Sequence, residues 1–332
     1  MRRHTSIVLT GALGMAGALS IATSTATAAP PEAAASTANV AVAAASTANV
    51  AVAAASTANV ADRLVLEPTN FGYRGSLQAE LTYRGSEPGR ATYVITEPVP
   101  GSYQNLEWGI SCYSGGEYLP DGRVRVECDV PGGNLQPGEQ RTFSVDFEVL
   151  TAVRPFAMKA GNGRLAVEVG GEVVTDETFR TRFRSSTGSL EDPQPYVRDE
   201  QPEAGITAGD LTLVRQPDGT FEGRLPLTVR YDGDAPHTGL FLLTSNLPAG
   251  VFETYTEPND GCAHFCVPGG QFMEGEVRSF DLVFAASAQT PLGDLGEAGI
   301  EVTTETRQWP PVPDADPSDN LTTFFVTAVE AA

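Results

Sequence analysis

Apolar and polar positions alternate strictly along residues 73–83. Tyr73, Gly75, Leu77, Ala79, Leu81 and Tyr83 fall on one side, with mostly polar residues between them. A period of two predicts a strand with one buried face. The pattern returns 148 positions later in Phe221, Gly223, Leu225, Leu227, Val229 and Tyr231. Further short apolar runs lie at 64–66, 91–96, 124–128, 142–150, 165–169 and 178–183, then at 211–214, 240–244, 277–284, 299–304 and 321–326. Pro-Gly, Asn-Gly and Gly-Gly signals separate many of them, as turns between strands require. No long stretch of these regions has helical period, so a nucleotide-binding α/β fold is excluded on pattern. Strand density at this turn spacing predicts β-sandwiches.

A second stretch is also written twice. Cys128-Asp129-Val130-Pro131-Gly132-Gly133, then Gly138-Glu139, Arg141 and Phe143, is answered by Cys266-Val267-Pro268-Gly269-Gly270, then Gly275-Glu276, Arg278 and Phe280. Pro131 and Pro268, Arg141 and Arg278, and Phe147 and Phe284 are each 137 positions apart. Two matched blocks in fixed order predict a duplicated module. The change of register between blocks places an insertion in the first copy near Cys112–Cys128.

The expected organisation is a signal peptide over 1–28, an Ala/Ser/Thr-rich flexible spacer over 29–60, a first sandwich over 61–186, an acidic proline-containing linker over 187–208 and a second sandwich over 209–332. Arg2 and Arg3, a modestly apolar stretch and Ala26-Thr27-Ala28 form the signal. The spacer repeats Ala-Ala-Ala-Ser-Thr-Ala-Asn-Val-Ala-Val three times, with Asp62 in place of the last Val. Ten steps of 100° do not return to one helical face, so no helical stripe is expected there.

Charge narrows the partners. The formal net charge is −21, with 42 acids against 21 Lys and Arg, and Lys159 is the single lysine. This surface repels phosphate backbones, so nucleic acid is not an expected partner. No stretch of the mature chain has the length and apolarity of a membrane span, and neither a lipid-bearing cysteine nor a wall-sorting motif is seen.

Four cysteines in an exported chain read as disulfides. Of the three pairings, the duplication favours Cys112–Cys128 and Cys262–Cys266, local staples within each module. Cys262, His264 and Cys266 are too close in sequence for a closed tetrahedral metal site. His237 and His264 have no counterparts in the other module, and no nucleophile elbow, His-Glu-x-x-His or phosphate loop occurs. No enzyme activity is expected. Asp314, Asp316 and Asp319, with Asn320, are the candidate calcium ligands, since hard cations take such oxygens; Asp232, Asp234, Asn259 and Asp260 are further loop oxygens. Trp108, Tyr113, Tyr118 and Trp309 are the candidate glycan-stacking aromatics.

Leu247-Pro248-Ala249-Gly250-Val251, Cys262, Cys266-Val267-Pro268-Gly269, Gly275-Glu276 and the closing Asp316-Pro317-Ser318-Asp319-Asn320 resemble, in their order, the bacterial conserved-repeat modules known as domain of unknown function eleven. The first module matches through Val99-Pro100-Gly101, Cys112, Cys128 and Pro137-Gly138, without the closing segment. The resemblance implies tandem immunoglobulin-like sandwiches on exported or surface proteins, with no catalytic residues to transfer. Alanine-rich, lysine-poor composition behind a signal peptide points to a high-GC actinobacterium. The sequence therefore predicts an all-β, non-enzymatic, secreted or surface-associated protein, structural or adhesive, meeting an extracellular protein or cell-wall component. The alternative is a ligand-binding module, calcium-assisted or specific for wall glycans.

Overall fold

The structure is a computed structural model, and it describes residues 55–103, 112, 116–259, 266–306 and 311–331. The expected signal peptide, the first two copies of the ten-residue repeat, Trp108, Tyr113, Trp309, Asp260, Cys262 and His264 lie outside the described residues. The described chain is all-β, with no helix among the described residues.

The first hydrophobic core is built by β1 (Thr57–Val60), β2 (Arg63–Thr69), β3 (Gly72–Thr82), β4 (Ala91–Thr96), β5 (Glu117–Tyr118), β6 (Val124–Asp129), β7 (Gln140–Val149), β8 (Met158–Lys159), β9 (Gly163–Val169), β10 (Glu172–Phe183) and β11 (Gln194–Pro195). One layer is β1-β3-β7 and the other runs β10-β9-β4-β6-β5. β2 belongs to both. Arg63–Leu66 lies parallel to β10, whereas Glu67–Thr69 pairs with β3. The alternating residues of β3 face inward as expected: Tyr73, Leu77 and Leu81 have no exposed surface and meet Leu165, Val167, Phe179 and Phe183. Burying each such side chain stabilises by roughly 1.5–3 kcal/mol.

The second core is built by β12 (Ala204–Ala208), β13 (Leu211–Arg215), β14 (Phe221–Tyr231), β15 (Gly239–Ser245), β16 (Val251–Glu257), β17 (Glu276–Ala286), β18 (Gly293–Glu305) and β19 (Leu321–Val329). Here β12-β14-β17-β16 faces β15-β18-β19, and β13 crosses between the layers, parallel to β19 and touching β14 at its end. Gly75 and Gly223 mark the two crossings. A Cβ on Gly75 would stand 2.1 Å from the Val65 carbonyl oxygen, and one on Gly223 would stand 2.4 Å from that of Thr212. Only glycine admits a backbone that close.

The two sandwiches differ in one strand. β6 pairs with β4, but β16 pairs with β17, in the opposite layer. Among the described residues, an isolated bridge between Phe241 and Cys266, with Val267 N–H donating to Leu240 O, joins β15 to the segment that follows β16. β16 was absent from the sequence reading because its alternation is broken: a bulge falls between Glu253 and Tyr255, and Phe252 points to solvent.

Three segments depart from the expected organisation. The end of the expected spacer is strand β1, and Ala58 and Val60 pack on the first core. Ten is an even number, so the repeat keeps strand faces in phase although it fails as a helix. The expected linker is not free either. Gln194 and Pro195 pair with β8, and Ala204–Ala208 pairs with β14. Small and apolar residues there find a core edge to cover, and this outweighs the extended character of the acidic stretch between them.

Candidate functional site

The recurring Pro-Gly-Gly stretch folds into the same clamp twice. Arg141 donates from Nη1 to the carbonyls of Pro131 and Gly133, and from Nε to Glu139. Arg278 donates from Nη1 to Pro268 and Gly270, from Nε to Glu276, and from Nη2 to Gln271. Each glutamate in turn accepts a backbone N–H three residues back, from Gln136 or Met273. Gly132, Gly133, Gly138 and their partners Gly269, Gly270, Gly275 all have positive φ, which only glycine adopts cheaply. The planar fork of arginine suits several carbonyls at once, which lysine does not. Arg278 also lies 3.7 Å above the Phe272 ring, whereas the first clamp has Leu135 at the matching position. A second repeated bond ties strand ends: the hydroxyl of Tyr83 donates to Glu87 O and that of Tyr231 to Ala235 O.

The second clamp sits against the first sandwich. Glu274, between Phe272 and Glu276, reaches back to the end of β7. Its Oε2 accepts from Thr151 Oγ1 at 2.7 Å and from Ala152 N at 2.9 Å, its Oε1 pairs with Arg154 at 2.7 Å, and its own N–H donates to Leu150 O. The segment between β11 and β12 makes a second tie. Tyr196 donates to Asp234 Oδ2, the Asp199 and Asp234 carboxylates each accept the other's backbone N–H, and the buried Arg198 donates to Asp234 O and to Pro100 O. Burial, then the neighbouring Asp234, raise the Asp199 carboxyl above its ordinary range.

Two buried titratable groups flank this joint. Glu97 is 1% exposed, and burial pushes its carboxyl up to about 7 despite bonds from Gly101, Tyr103 and Val124 N–H and the charge of Arg198. Burial holds His237 down to about 4. Its Nε2 accepts Phe272 N–H at 2.9 Å, which leaves the proton on Nδ1, facing Ala235 O. Glu97 accepts with both oxygens, and His237 is engaged at both nitrogens.

Beside the joint lies a cleft of about 840 Å³. Pro98, Pro100, Pro120 and Pro236 stiffen its walls, and Arg123, Asn162, Asp199 and Gln201 give it polar groups. Arg123 is held by Asp121 and by the Asn162 carbonyl.

The structure does not gather the candidate calcium ligands. Asp314 accepts from Ala204 N and Asp316 N, Asp316 accepts from the Ser318 N–H and hydroxyl, and Asp319 pairs with Arg230, which also reaches Asp232. Among the described residues no group of three or more Asp, Glu, His or Cys is placed to hold a metal ion. Cys112 and Cys128 form a disulfide; Cys266 is also disulfide-bonded, and Cys262 lies outside the described residues. Tyr118 is 42% exposed on β5. The sequence reading missed Glu97, Arg198 and Glu274. Arg198 carried a signal: it is the lone cation among Asp192, Asp199, Glu200 and Glu203, and it follows Tyr196 and Val197.

No family model matches the chain, and no curated protein matches it. Among solved structures it is similar to a protein of unknown function from Porphyromonas gingivalis W83, at 12% identity over 82% of this chain and 98% of that one, with a TM-score of 0.23. It is also similar to the Yersinia pseudotuberculosis adhesin InvE, at 12% identity over 81% of this chain and 60% of that one, again with a TM-score of 0.23. At such scores neither likeness carries weight for fold or function. No helix among the described residues is long and apolar enough to cross a membrane.

Proposed function

We propose that this is a non-enzymatic, exported or surface-associated protein in which two immunoglobulin-like sandwiches form one jointed structural or adhesive element. The joint carries the reading. Glu274, Arg198 and Asp234 spend their hydrogen-bonding capacity on fixing one sandwich to the next, and the most strongly shifted carboxyl and imidazole serve packing. The Cys112–Cys128 bridge favours an oxidising compartment, as does the expected leader. The partner is an extracellular protein or a cell-wall component. The test is retention of purified protein on isolated cell envelopes, beside a broad hydrolase screen. Saturable retention without turnover supports the reading; turnover of any substrate, or no retention, removes it.

The cleft favours a second reading, a wall-glycan site. Arg123, Asn162, Asp199 and Gln201 offer the mixed donors and acceptors that sugar hydroxyls take. A glycan array with the parent chain and Asn162→Ala would decide it. The calcium-assisted form of this reading predicts a calorimetric signal on titrating calcium, and Asp314, Asp316 and Asp319 would have to converge from their present places to give one.

A further inference from the structure

Residues 57–60 of the third copy of the ten-residue repeat form a strand, and two more copies precede it with the same residues at the places of 56–61. In the third copy the Ser56 hydroxyl accepts Arg84 N–H, Thr57–Val60 pairs antiparallel with Thr82–Ala79 of β3, and Ala61 N–H donates to Gln78 O. Ala58 and Val60 turn inward onto the core, while Thr57 and Asn59 face solvent. The residues at these places in the earlier copies are Ser46, Thr47, Ala48, Asn49, Val50 and Ala51, and Ser36, Thr37, Ala38, Asn39, Val40 and Ala41. They match the third copy one for one.

Register decides whether such copies can exchange. A slip by an odd number of residues would turn Ala and Val to solvent, but a slip by ten returns the same side chains to the same face. We infer that the β3 edge is a docking site for any of the three copies of the same chain, so that this strand can slide in ten-residue steps.

The third copy has two advantages. It runs directly into β2, and its Asp62 pairs with Arg180, where the earlier copies carry Val52 and Val42. Seating the second copy instead closes a loop over residues 52–62, which disfavours it by roughly forty-fold, because loop cost grows only with the logarithm of length. The slid registers are minor in the parent chain and take over when the third copy is disabled. Each step transfers ten residues from the N-terminal side of the strand to the loop. The length of chain between the sandwich and whatever holds the N-terminal side therefore changes by about 33 Å if extended.

Proline substitution tests this in the full chain. Ala61 donates to Gln78 O, so by antiparallel alternation Asn59 donates to Glu80 O and Glu80 N–H donates back. Asn59→Pro removes that donor from the third copy alone; Asn39→Pro, Asn49→Pro and Asn59→Pro together disable all three. Hydrogen exchange at the Glu80 amide should be at least about ten-fold slower in the single variant than in the triple variant. Equal exchange in the two overturns the inference, whether fast or slow. Retention of protection only at high protein concentration also overturns it, because the strand would then come from another molecule. A second readout uses the scarcity of lysine. With Asn59→Pro and Asn49→Lys together, carbodiimide should join residue 49 to Glu80 within one chain, and absence of that cross-link in a folded sample counts against the slide.

Discussion

Glu274→Ala should loosen the joint between the two sandwiches while leaving each folded. The glutamate belongs to the second sandwich, but every partner of its side chain belongs to the first: Thr151 Oγ1, Ala152 N and Arg154. Two charge-assisted bonds to neutral donors are worth roughly 1.5 kcal/mol each. The ion pair adds under about 1 kcal/mol, since the Arg154 side chain is 41% exposed. Thr151 is 1% exposed, so its hydroxyl would lose an acceptor that water replaces poorly. Together these give about 3 kcal/mol of coupling, and at about 1.4 kcal/mol per decade the open joint becomes roughly a hundred-fold more populated. Small-angle scattering should show a broader distribution of maximum dimension, and calorimetry should resolve two transitions. The clamp of Arg278 does not involve the Glu274 side chain, so the second sandwich should keep its own hydrogen-exchange protection. An unchanged scattering profile, with melting unaltered, would refute the argument that these bonds fix the joint.

Other expectations follow from the same contacts. Arg278→Lys should destabilise the second sandwich by about 2–3 kcal/mol, and Arg141→Lys the first by less, because only Arg278 binds a third carbonyl and stacks on an aromatic ring; urea unfolding of each variant checks the order. Gly75→Ala and Gly223→Ala should each cost about 2 kcal/mol or more, through the clash of Cβ with a carbonyl oxygen, read as a lower urea midpoint. The two buried titratable groups should pull in opposite directions with pH. His237 is held down to about 4, so the unfolded chain binds its proton first, and the stability this group contributes is lost as pH falls from about 6.5 to 4, by about 3 kcal/mol in all. Glu97 is pushed up to about 7, so the folded chain holds that proton, and its contribution is lost as pH rises from 4.5 to about 7. Glu97→Gln should flatten the second dependence and leave the first, in melting curves taken across pH 4–7.5.

The β3 and β14 strands were legible because a strict period of two over eleven residues has one physical reading. The Pro-Gly-Gly stretch was legible as a pattern but not as a clamp, since nothing local in Arg141 or Arg278 says that the guanidinium folds back eight to ten residues onto its own loop. β1 and β12 were hidden for a different reason. In Ala-Asn-Val and Ala-Gly-Ile a single β-branched residue stands beside two poor strand formers, and these segments pair where β3 and β14 present an edge. The joint was hidden most deeply, because its bonds connect residues about 120 positions apart. The acids proposed for calcium look clustered in sequence, but Asp314 and Asp316 bond to turns of their own loop and Asp319 Oδ2 to Arg230, and among the described residues no three such groups converge.

The pairing of Gln194–Pro195 with one sandwich and of Ala204–Ala208 with the other bears on how the chain can be divided. A cut at the expected boundary after residue 208 would strip the second half of β12 and leave the side of β14 that meets Ala204–Ala208 bare. A bare strand edge recruits neighbours, so that half would aggregate for reasons unrelated to its own core. Only residues 196–203 lie between the two pairings, and Tyr196, Arg198 and Asp199 among them are bonded to Asp234. A protease seeking slack chain would find little there, and the halves should be recovered from digestion still joined.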